Sequence, residues 1–164
     1  MKNLSIFLCL AILVSCSKDK NCSPGFTGSD CDQELTPQYI KLNSVSLLSF
    51  PPTDNGAGWD LLDGPDVYFV LLYNSTVIYS TKDTRYTNAI SGPLLWDIQT
   101  NVNFDHPADA YVLAAYDYDD TSADDFMGAI NFVPYIANKG FPTSITWDCA
   151  GCSTQWKTLI NYVH

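Results

Sequence analysis

The chain has 164 residues, enough for one domain of ordinary size, and 46% of them are hydrophobic, which can supply a buried core. It carries 18 acidic and 8 basic residues, a net charge of −10. This balance argues against nucleic-acid binding and against a basic groove for anionic lipid headgroups, because both need clustered lysine and arginine. Seventeen of the acidic residues are aspartate, and nine of these fall in segments 54–66 and 117–125.

The first fifteen residues predict a lipoprotein signal peptide. A positively charged start, MKN, precedes the apolar run LSIFLCLAILVS, which is too short to be a good membrane span. The following Leu13-Val14-Ser15-Cys16 resembles the lipobox of bacterial lipoproteins, which implies that Cys16 is acylated and becomes the mature N-terminus. The alternative is an ordinary secretory signal and a coincidental cysteine. The polar tether resembles those of Bacteroidetes lipoproteins, which implies an outer-membrane lipoprotein of the cell envelope, periplasmic or surface-exposed.

The tether, residues 16–35, contains the first of two local cysteine pairs. Export places the chain in a space that permits disulfides. Cys22 and Cys31 enclose two glycines and a phenylalanine in a spacing that resembles the last loop of an EGF-like module, whose final two cysteines are bridged. Only about ten residues are covered, so the resemblance implies a small disulfide-linked spacer rather than a complete module.

The second pair, Cys149 and Cys152, forms a Cys-x-x-Cys motif. No βαβ pattern surrounds it, and the flanking runs ITWDC and TQWKTLINYV are typical of strands on either side of a two-residue turn. We therefore expect a structural disulfide across that turn. A redox motif and a zinc site are the alternatives.

From residue 36 onward, short runs of β-branched and aromatic residues alternate with Gly, Pro, Asn and Asp, which is the pattern of β-strands. A tight hairpin is expected at Asn74-Ser75 and one helical turn at 135–140. Eight short strands indicate an all-β, eight-stranded antiparallel β-sandwich over residues 36–164. The predicted strands lie at about 38–50, 66–74, 76–82, 94–104, 111–118, 126–133, 143–149 and 153–163.

Two acidic loops carry the most specific pattern in the sequence. Asp60 and Asp66 stand six positions apart and a strand follows them; Asp117, Asp119 and Asp125 take relative positions 0, 2 and 8, and Phe-Met-Gly follows. This double spacing resembles the C2 domain, the calcium- and phospholipid-binding β-sandwich of protein kinase C and the synaptotagmins. The resemblance covers about residues 38–163. One strand precedes the first loop, which fits the permuted, phospholipase-like topology if 153–163 is the closing strand.

The resemblance implies that these five aspartates bind Ca²⁺. The chemistry agrees, because crowded carboxylates repel one another unless a cation lies among them, and Ca²⁺ takes six to eight oxygen ligands. The backbone carbonyls of Trp59 and Tyr118 are further candidate ligands, and Asp63, Asp120 and Asp124 are spare carboxylates. Between the loops the family's Thr…Asn-Pro-x-Trp segment has a differently spaced counterpart in Thr87, Asn88, Pro93 and Trp96.

Other interpretations of the acidic loops fare less well. An EF-hand counted from Asp117 would need glycine where Ser122 stands and glutamate where Gly128 stands. A paired-carboxylate glycosidase and an acidic loop that binds nothing remain as alternatives. His106 and His164 are not expected to bind a metal. The sequence shows no recognisable Ser-His-Asp or Cys-His arrangement, so we expect no enzymatic activity.

In the C2 family, Ca²⁺ bridges loop carboxylates to lipid phosphate while apolar loop tips enter the headgroups. Leu61 and Leu62 stand where such a membrane-docking tip belongs, although they could instead fold back on Trp59. The resemblance therefore implies a lipid-anchored, calcium-binding protein whose loop end docks phospholipid or a surface protein or glycan. The alternative is an adhesion, scaffold or carbohydrate-binding sandwich in which the metal is purely structural.

Overall fold

A computed structural model describes residues 21–60, 63–148 and 153–164. The longer strands carry alternating buried and exposed residues, so each can bury one face in a shared core. Within these ranges, ten strands form in chain order: β1 Phe26–Thr27, β2 Gln33–Glu34, β3 Tyr39–Ser49, β4 Val67–Tyr73, β5 Thr76–Ser80, β6 Leu94–Phe104, β7 Tyr111–Asp117, β8 Asp125–Phe132, β9 Ser144–Trp147 and β10 Gln155–Val163.

The eight strands β3–β10 form the predicted antiparallel sandwich. One sheet has the order β6-β3-β10-β9 and the other β5-β4-β7-β8, while β1 and β2 pair separately. The last strand, β10, pairs antiparallel with β3 and with β9 and so lies inside its sheet. The sequence-based prediction of an all-β sandwich is confirmed.

The core lies between the two sheets and is rich in aromatic side chains. Trp156 and Phe69 are fully buried and their rings meet edge to face, with centroids 6.1 Å apart. Trp96 also meets the ring of Phe69 edge to face, with centroids 5.2 Å apart. These contacts join β4 to β6 and β10 across the sandwich and hold both sheets in fixed register.

The hairpin prediction is confirmed, but the helical turn is misplaced. Asn74 and Ser75 both adopt positive φ, as a two-residue hairpin requires. Residues 135–140 form a hydrogen-bonded turn in which Asn138 has a φ of 63°, and a right-handed helix cannot include that conformation. In the described ranges the helical segment is instead the 3-10 turn Lys82–Thr84, which is far too short to be a membrane span.

The two ends of the sandwich differ in what they carry. Strand β3 runs from Tyr39 at one end to Ser49 at the other, where it leads into the first acidic segment. The β7–β8 loop lies at that same end, because Asp117 ends β7 beside the first residue of β4. We call this the acidic end; the opposite end, where β3 starts and β10 finishes, is called the N-terminal end.

Residues 21–38, called here the N-terminal module, pack on the N-terminal end. Cys22 and Cys31 are joined by a disulfide, as predicted, and β1 pairs with β2 inside this module. The ring of Phe26 meets that of Phe141 edge to face at 5.3 Å. The Gln38 amide donates to the Val163 carbonyl oxygen at 2.7 Å, which ties the module to the last residue of β10.

Candidate functional site

Strand ends position the carboxylates of the acidic end. Asp117 is the last residue of β7 and Asp125 the first of β8, and the two are register partners across the loop that joins these strands. Asp66 immediately precedes β4, and its carbonyl oxygen accepts the Tyr118 amide at 2.9 Å. The two acidic loops are therefore held side by side through backbone contacts.

An open cleft of about 560 Å³ lies between these loops and is called the acidic cleft. Carboxylates dominate its wall, and nearly all of the remaining lining groups are polar. An oxygen-rich, solvent-connected cleft suits a hard cation better than an apolar ligand. The lining residues are Asp60, Asp63, Asp66, Thr87, Asn88, Tyr118, Asp119, Asp120 and Thr121.

Asp117 is buried next to the cleft and is hydrogen-bonded to Asp66, one of the lining residues. Its side chain is 0% exposed; Oδ1 accepts the Asp66 amide at 2.6 Å, whereas Oδ2 has no hydrogen-bond partner among the described residues. Burial is the main cause that raises its pKa to about 6, and the negative charges of Asp60, Asp119 and Asp66 add to the shift. A buried carboxylate oxygen without a donor is costly and is a ready ligand for a cation.

The five predicted ligands repel one another, which shows that they share one electrostatic neighbourhood. Burial raises the pKa of Asp60 first, and the charges of Asp63, Asp119, Asp66 and Asp125 raise it further. Asp117 feels three members of the same set. The structure thus gathers all five at the acidic end; their role as metal ligands stays a prediction.

Two basic residues that the local sequence pattern did not associate with the acidic loops lie at this site. Arg85, the only arginine of the sequence, places Nε 3.3 Å from Asp66 Oδ2. Lys82 Nζ lies 2.7 Å from Asp124 Oδ2. Both cations come from the 3-10 turn and the residue after it, and both pack on the ring of Tyr118, at 4.7 Å for Lys82 and 4.0 Å for Arg85.

The two ion pairs show that Asp124 and Asp66 are neutralised to different degrees. Burial raises the pKa of Asp124, but hydrogen bonds from Lys82 and Tyr68 outweigh it and hold that pKa below its ordinary value. Asp124 is thus neutralised by the protein itself, which agrees with its place among the spare carboxylates. Asp66 is shared, because Oδ1 also accepts the Asn88 amide at 2.9 Å while Oδ2 faces Arg85.

The donor set fits an oxygen-ligated cation, although the carboxylates do not converge in this conformation. Among residues 21–60, 63–148 and 153–164, no three metal-ligating side chains are close enough together to hold an ion. The negative charges of Asp119 and Asp66 raise the pKa of both Asp60 and Asp117, and Asp66 faces Arg85. A cation among them would remove the repulsion and supply the missing partner of Asp117 Oδ2.

The remaining predicted residues are spread over the molecule. His106 stacks on Tyr73 at 5.1 Å and His164 meets Phe141 at 4.5 Å, both near the N-terminal end. Trp96 is buried in the core, and Asn88 lines the acidic cleft. The signal peptide, Cys16, the loop-tip residues Leu61 and Leu62, and the pair Cys149 and Cys152 fall outside the described residues.

Comparison with known proteins supports the fold. No protein-family model and no curated protein matches the chain. A solved structure of a C2 domain aligns with 77% of this chain and 98% of that one, at 16% identity and a TM-score of 0.51. Human GIVD cytosolic phospholipase A2, solved with an inhibitor and terbium chloride, aligns with 78% of this chain and 18% of that one, at 14% identity and a TM-score of 0.50. The chain therefore has a C2-like β-sandwich fold.

Proposed function

We propose that the protein binds Ca²⁺ in the acidic cleft and uses the bound ion to dock anionic phospholipid, while a lipid on Cys16 anchors it to the bacterial cell envelope. The observation that carries this proposal is Asp117: a fully buried carboxylate with one oxygen unpartnered among the described residues, beside four further aspartates. Bound Ca²⁺ would be coordinated both by carboxylates of the protein and by phosphate oxygens of a lipid, and so would link the two.

The residues that would hold the ion are Asp60, Asp66, Asp117, Asp119 and Asp125. Asp60 and Asp119 line the cleft. Oδ2 of Asp117, which is buried beside the cleft, has no partner among the described residues and is available to a bound ion. Asp66 can contribute once Oδ2 exchanges Arg85 for the ion. We expect a dissociation constant on the order of 10⁻⁴–10⁻³ M, as in extracellular calcium modules.

The proposed role is binding and not catalysis. The carboxylates of the cleft are crowded and mutually repulsive, and such a set suits a divalent cation better than proton transfer. The likeness of the fold to C2 domains supports a binding module as well.

Calorimetric titration with Ca²⁺ tests the metal site, and terbium luminescence gives an independent readout because Tyr118 lines the cleft and can sensitise a bound lanthanide. The phospholipase A2 neighbour was solved with terbium chloride, which supports the choice of probe. Sedimentation with phosphatidylserine vesicles, with and without Ca²⁺, tests lipid docking. No heat and no luminescence would remove the calcium site; binding of Ca²⁺ without vesicle binding would remove the lipid partner only.

A second candidate is a calcium-stabilised adhesion, scaffold or carbohydrate-binding sandwich. The backbone links between the loops favour it, because Tyr118 donates to Asp66 and Asp66 donates to Asp117, so a cation there would stiffen both loops. It predicts a rise in unfolding temperature with Ca²⁺ and no affinity for vesicles. Binding to a glycan array would identify the carbohydrate form.

A further inference from the structure

We infer that the acidic cleft docks a phospholipid bilayer other than the one that anchors the chain, and that the N-terminal module is a built spacer that enforces this orientation. The inference rests on the proposed function, because it needs both a lipid on Cys16 and a calcium-dependent cleft. It adds the location of the partner and a role for residues 21–38, which the proposed function leaves unassigned.

The first support is that the N-terminal module and the acidic cleft lie at opposite ends of the sandwich. Strand β3 begins at Tyr39, directly after the N-terminal module, and ends at Ser49, before the first acidic loop. Its 11 residues at about 3.3 Å each separate the two ends by about 33 Å. Ile40 pairs with Phe104 and Tyr39 with Val163, so both neighbours of β3 reach the N-terminal end with it.

The second support is that the N-terminal module is fixed to the sandwich and does not act as a loose linker. Glu34, the only glutamate of the sequence, uses both carboxylate oxygens: Oε2 accepts the Asn138 amide at 2.8 Å and Oε1 accepts the Gly140 amide at 2.8 Å. The Tyr135 hydroxyl donates to Oε2 at 3.3 Å. These bonds span more than a hundred residues of sequence and hold β2 against the 133–143 loop.

Close packing restricts the module further. Gly25 has a φ of +87°, and a Cβ there would lie 2.6 Å from the Phe141 ring and 2.7 Å from His164. The disulfide between Cys22 and Cys31 joins the two ends of the segment that contains Gly25. The chain therefore reaches residue 22 already held at the N-terminal end.

Tether length then decides which bilayer the cleft can reach. The six steps from residue 16 to residue 22 extend at most about 21 Å, roughly two thirds of the separation of the two ends. If the cleft faced the bilayer that holds Cys16, the N-terminal module would stand about 33 Å above that bilayer and the tether could not span the gap. A lipid on Cys16 thus directs the cleft away from its own membrane and toward an apposed one.

The test compares anchored and unanchored protein on defined vesicles. The lipidated protein in phosphatidylcholine vesicles is expected to cluster added phosphatidylserine vesicles when Ca²⁺ is present, as read by light scattering and by energy transfer between dyes in the two populations. The Cys16→Ser chain without residues 1–15 is expected to sediment with phosphatidylserine vesicles in Ca²⁺ but to cluster none.

A flexible Gly/Ser insert of about forty residues after residue 18 is the matched control. Its root-mean-square span of about 35 Å lets the cleft turn back onto its own bilayer. When phosphatidylserine is present in the anchoring vesicles as well, the insert should reduce clustering at least severalfold, while the short native tether should not.

Each contrary result has a distinct meaning. If the unanchored chain binds phosphatidylserine but the anchored one clusters no vesicles, the trans orientation is overturned and the calcium-dependent docking survives. If the unanchored chain does not bind, this inference and the lipid-docking part of the proposed function fail together, and the calcium site is judged by the titration alone. Mass spectrometry that finds no lipid on Cys16, or clustering that the long insert leaves unchanged, also overturns the inference.

Discussion

The two ends of the sandwich handle carboxylates in opposite ways. At the N-terminal end, both oxygens of Glu34 are satisfied by donors of the chain itself, so the charge contributes to structure. At the acidic end, Asp117 is completely buried and one of its oxygens has no partner among the described residues. A cluster of carboxylates is therefore not enough to indicate a ligand site, and the unpartnered oxygen of Asp117 is what makes the acidic end the candidate.

The largest expected effect comes from Asp117→Asn. The amide keeps an oxygen that can accept the Asp66 amide but removes the charge that a cation needs, so we expect Ca²⁺ affinity to fall at least tenfold, about 1.4 kcal/mol or more. In Ca²⁺-free buffer the same variant should be more stable at neutral pH, because it no longer carries a buried unpaired charge. Calorimetric titration and urea unfolding measure the two effects.

The matched control is Asp97→Asn, which removes one exposed carboxylate on β6 away from the cleft. It should leave both the affinity and the stability nearly unchanged. If the two variants weaken Ca²⁺ binding equally, general charge and not the buried carboxylate determines affinity.

The pH dependence of the metal-free protein gives the second effect. The pKa of Asp117 is raised to about 6 in the folded state from 3.8, so protonation favours folding. The stability that this group contributes is present in full below pH 3.8 and is lost as the pH rises through about 6, a total of about 3 kcal/mol. Urea unfolding between about pH 4 and pH 8 should show this difference between the native chain and Asp117→Asn.

Saturating Ca²⁺ should reverse that slope, because the ion binds the ionised carboxylate and releases its proton. A native-minus-variant difference that stays flat from pH 4 to pH 8 would contradict the buried, unpartnered state of Asp117. Ca²⁺ affinity should fall below about pH 6 for the same reason.

Much of the sandwich could be predicted from the sequence because its strands carry local signals. Alternation of buried and exposed residues and the Asn-Ser hairpin placed the eight strands to within a few residues. The acidic spacing also put Asp60, Asp66, Asp117, Asp119 and Asp125 at one end, where the structure has them. Local periodicity and turn chemistry were sufficient for the strands, whereas the placement of the five aspartates also drew on the resemblance to the C2 domain.

The features that were missed depend on contacts distant in sequence. One helical turn was predicted for residues 135–140, but the backbone amides of Asn138 and Gly140 donate to Glu34, about a hundred residues away. Arg85 and Lys82 stand 19 and 42 residues from the aspartates that they contact, so no local pattern connected them to the acidic loops. One feature of the sequence could have indicated Arg85: it is the single arginine and lies between the two acidic loops, where basic residues are scarce.

At the N-terminal end, Glu34→Ala should cost about 1–3 kcal/mol of unfolding free energy, because it leaves the Asn138 and Gly140 amides without their acceptor. Glu34→Gln keeps one good acceptor and should cost less. Ca²⁺ affinity should not change in either variant, since the site lies at the other end. Urea unfolding and calorimetric titration check this separation, and a loss of Ca²⁺ affinity in Glu34→Ala would show that the two ends are coupled.

The smallest expected effect concerns Arg85. Its Nε lies 3.3 Å from Asp66 Oδ2 and is partly exposed, so this ion pair competes with a cation for the same oxygen. Arg85→Gln should therefore increase Ca²⁺ affinity about twofold to fivefold, as expected for a partly screened pair worth about 0.5–1 kcal/mol.

Lys82→Gln is the control for that increase, because it removes the same charge from the same ring of Tyr118 but frees Asp124, which is not among the predicted ligands. Its effect on affinity should be smaller, and added NaCl should narrow the difference between the variants. Weaker Ca²⁺ binding by Arg85→Gln would mean that Arg85 orders Asp66 for the ion instead of competing with it. In that case the acidic end, like the N-terminal end, would depend on a contact that the protein supplies to its own carboxylate.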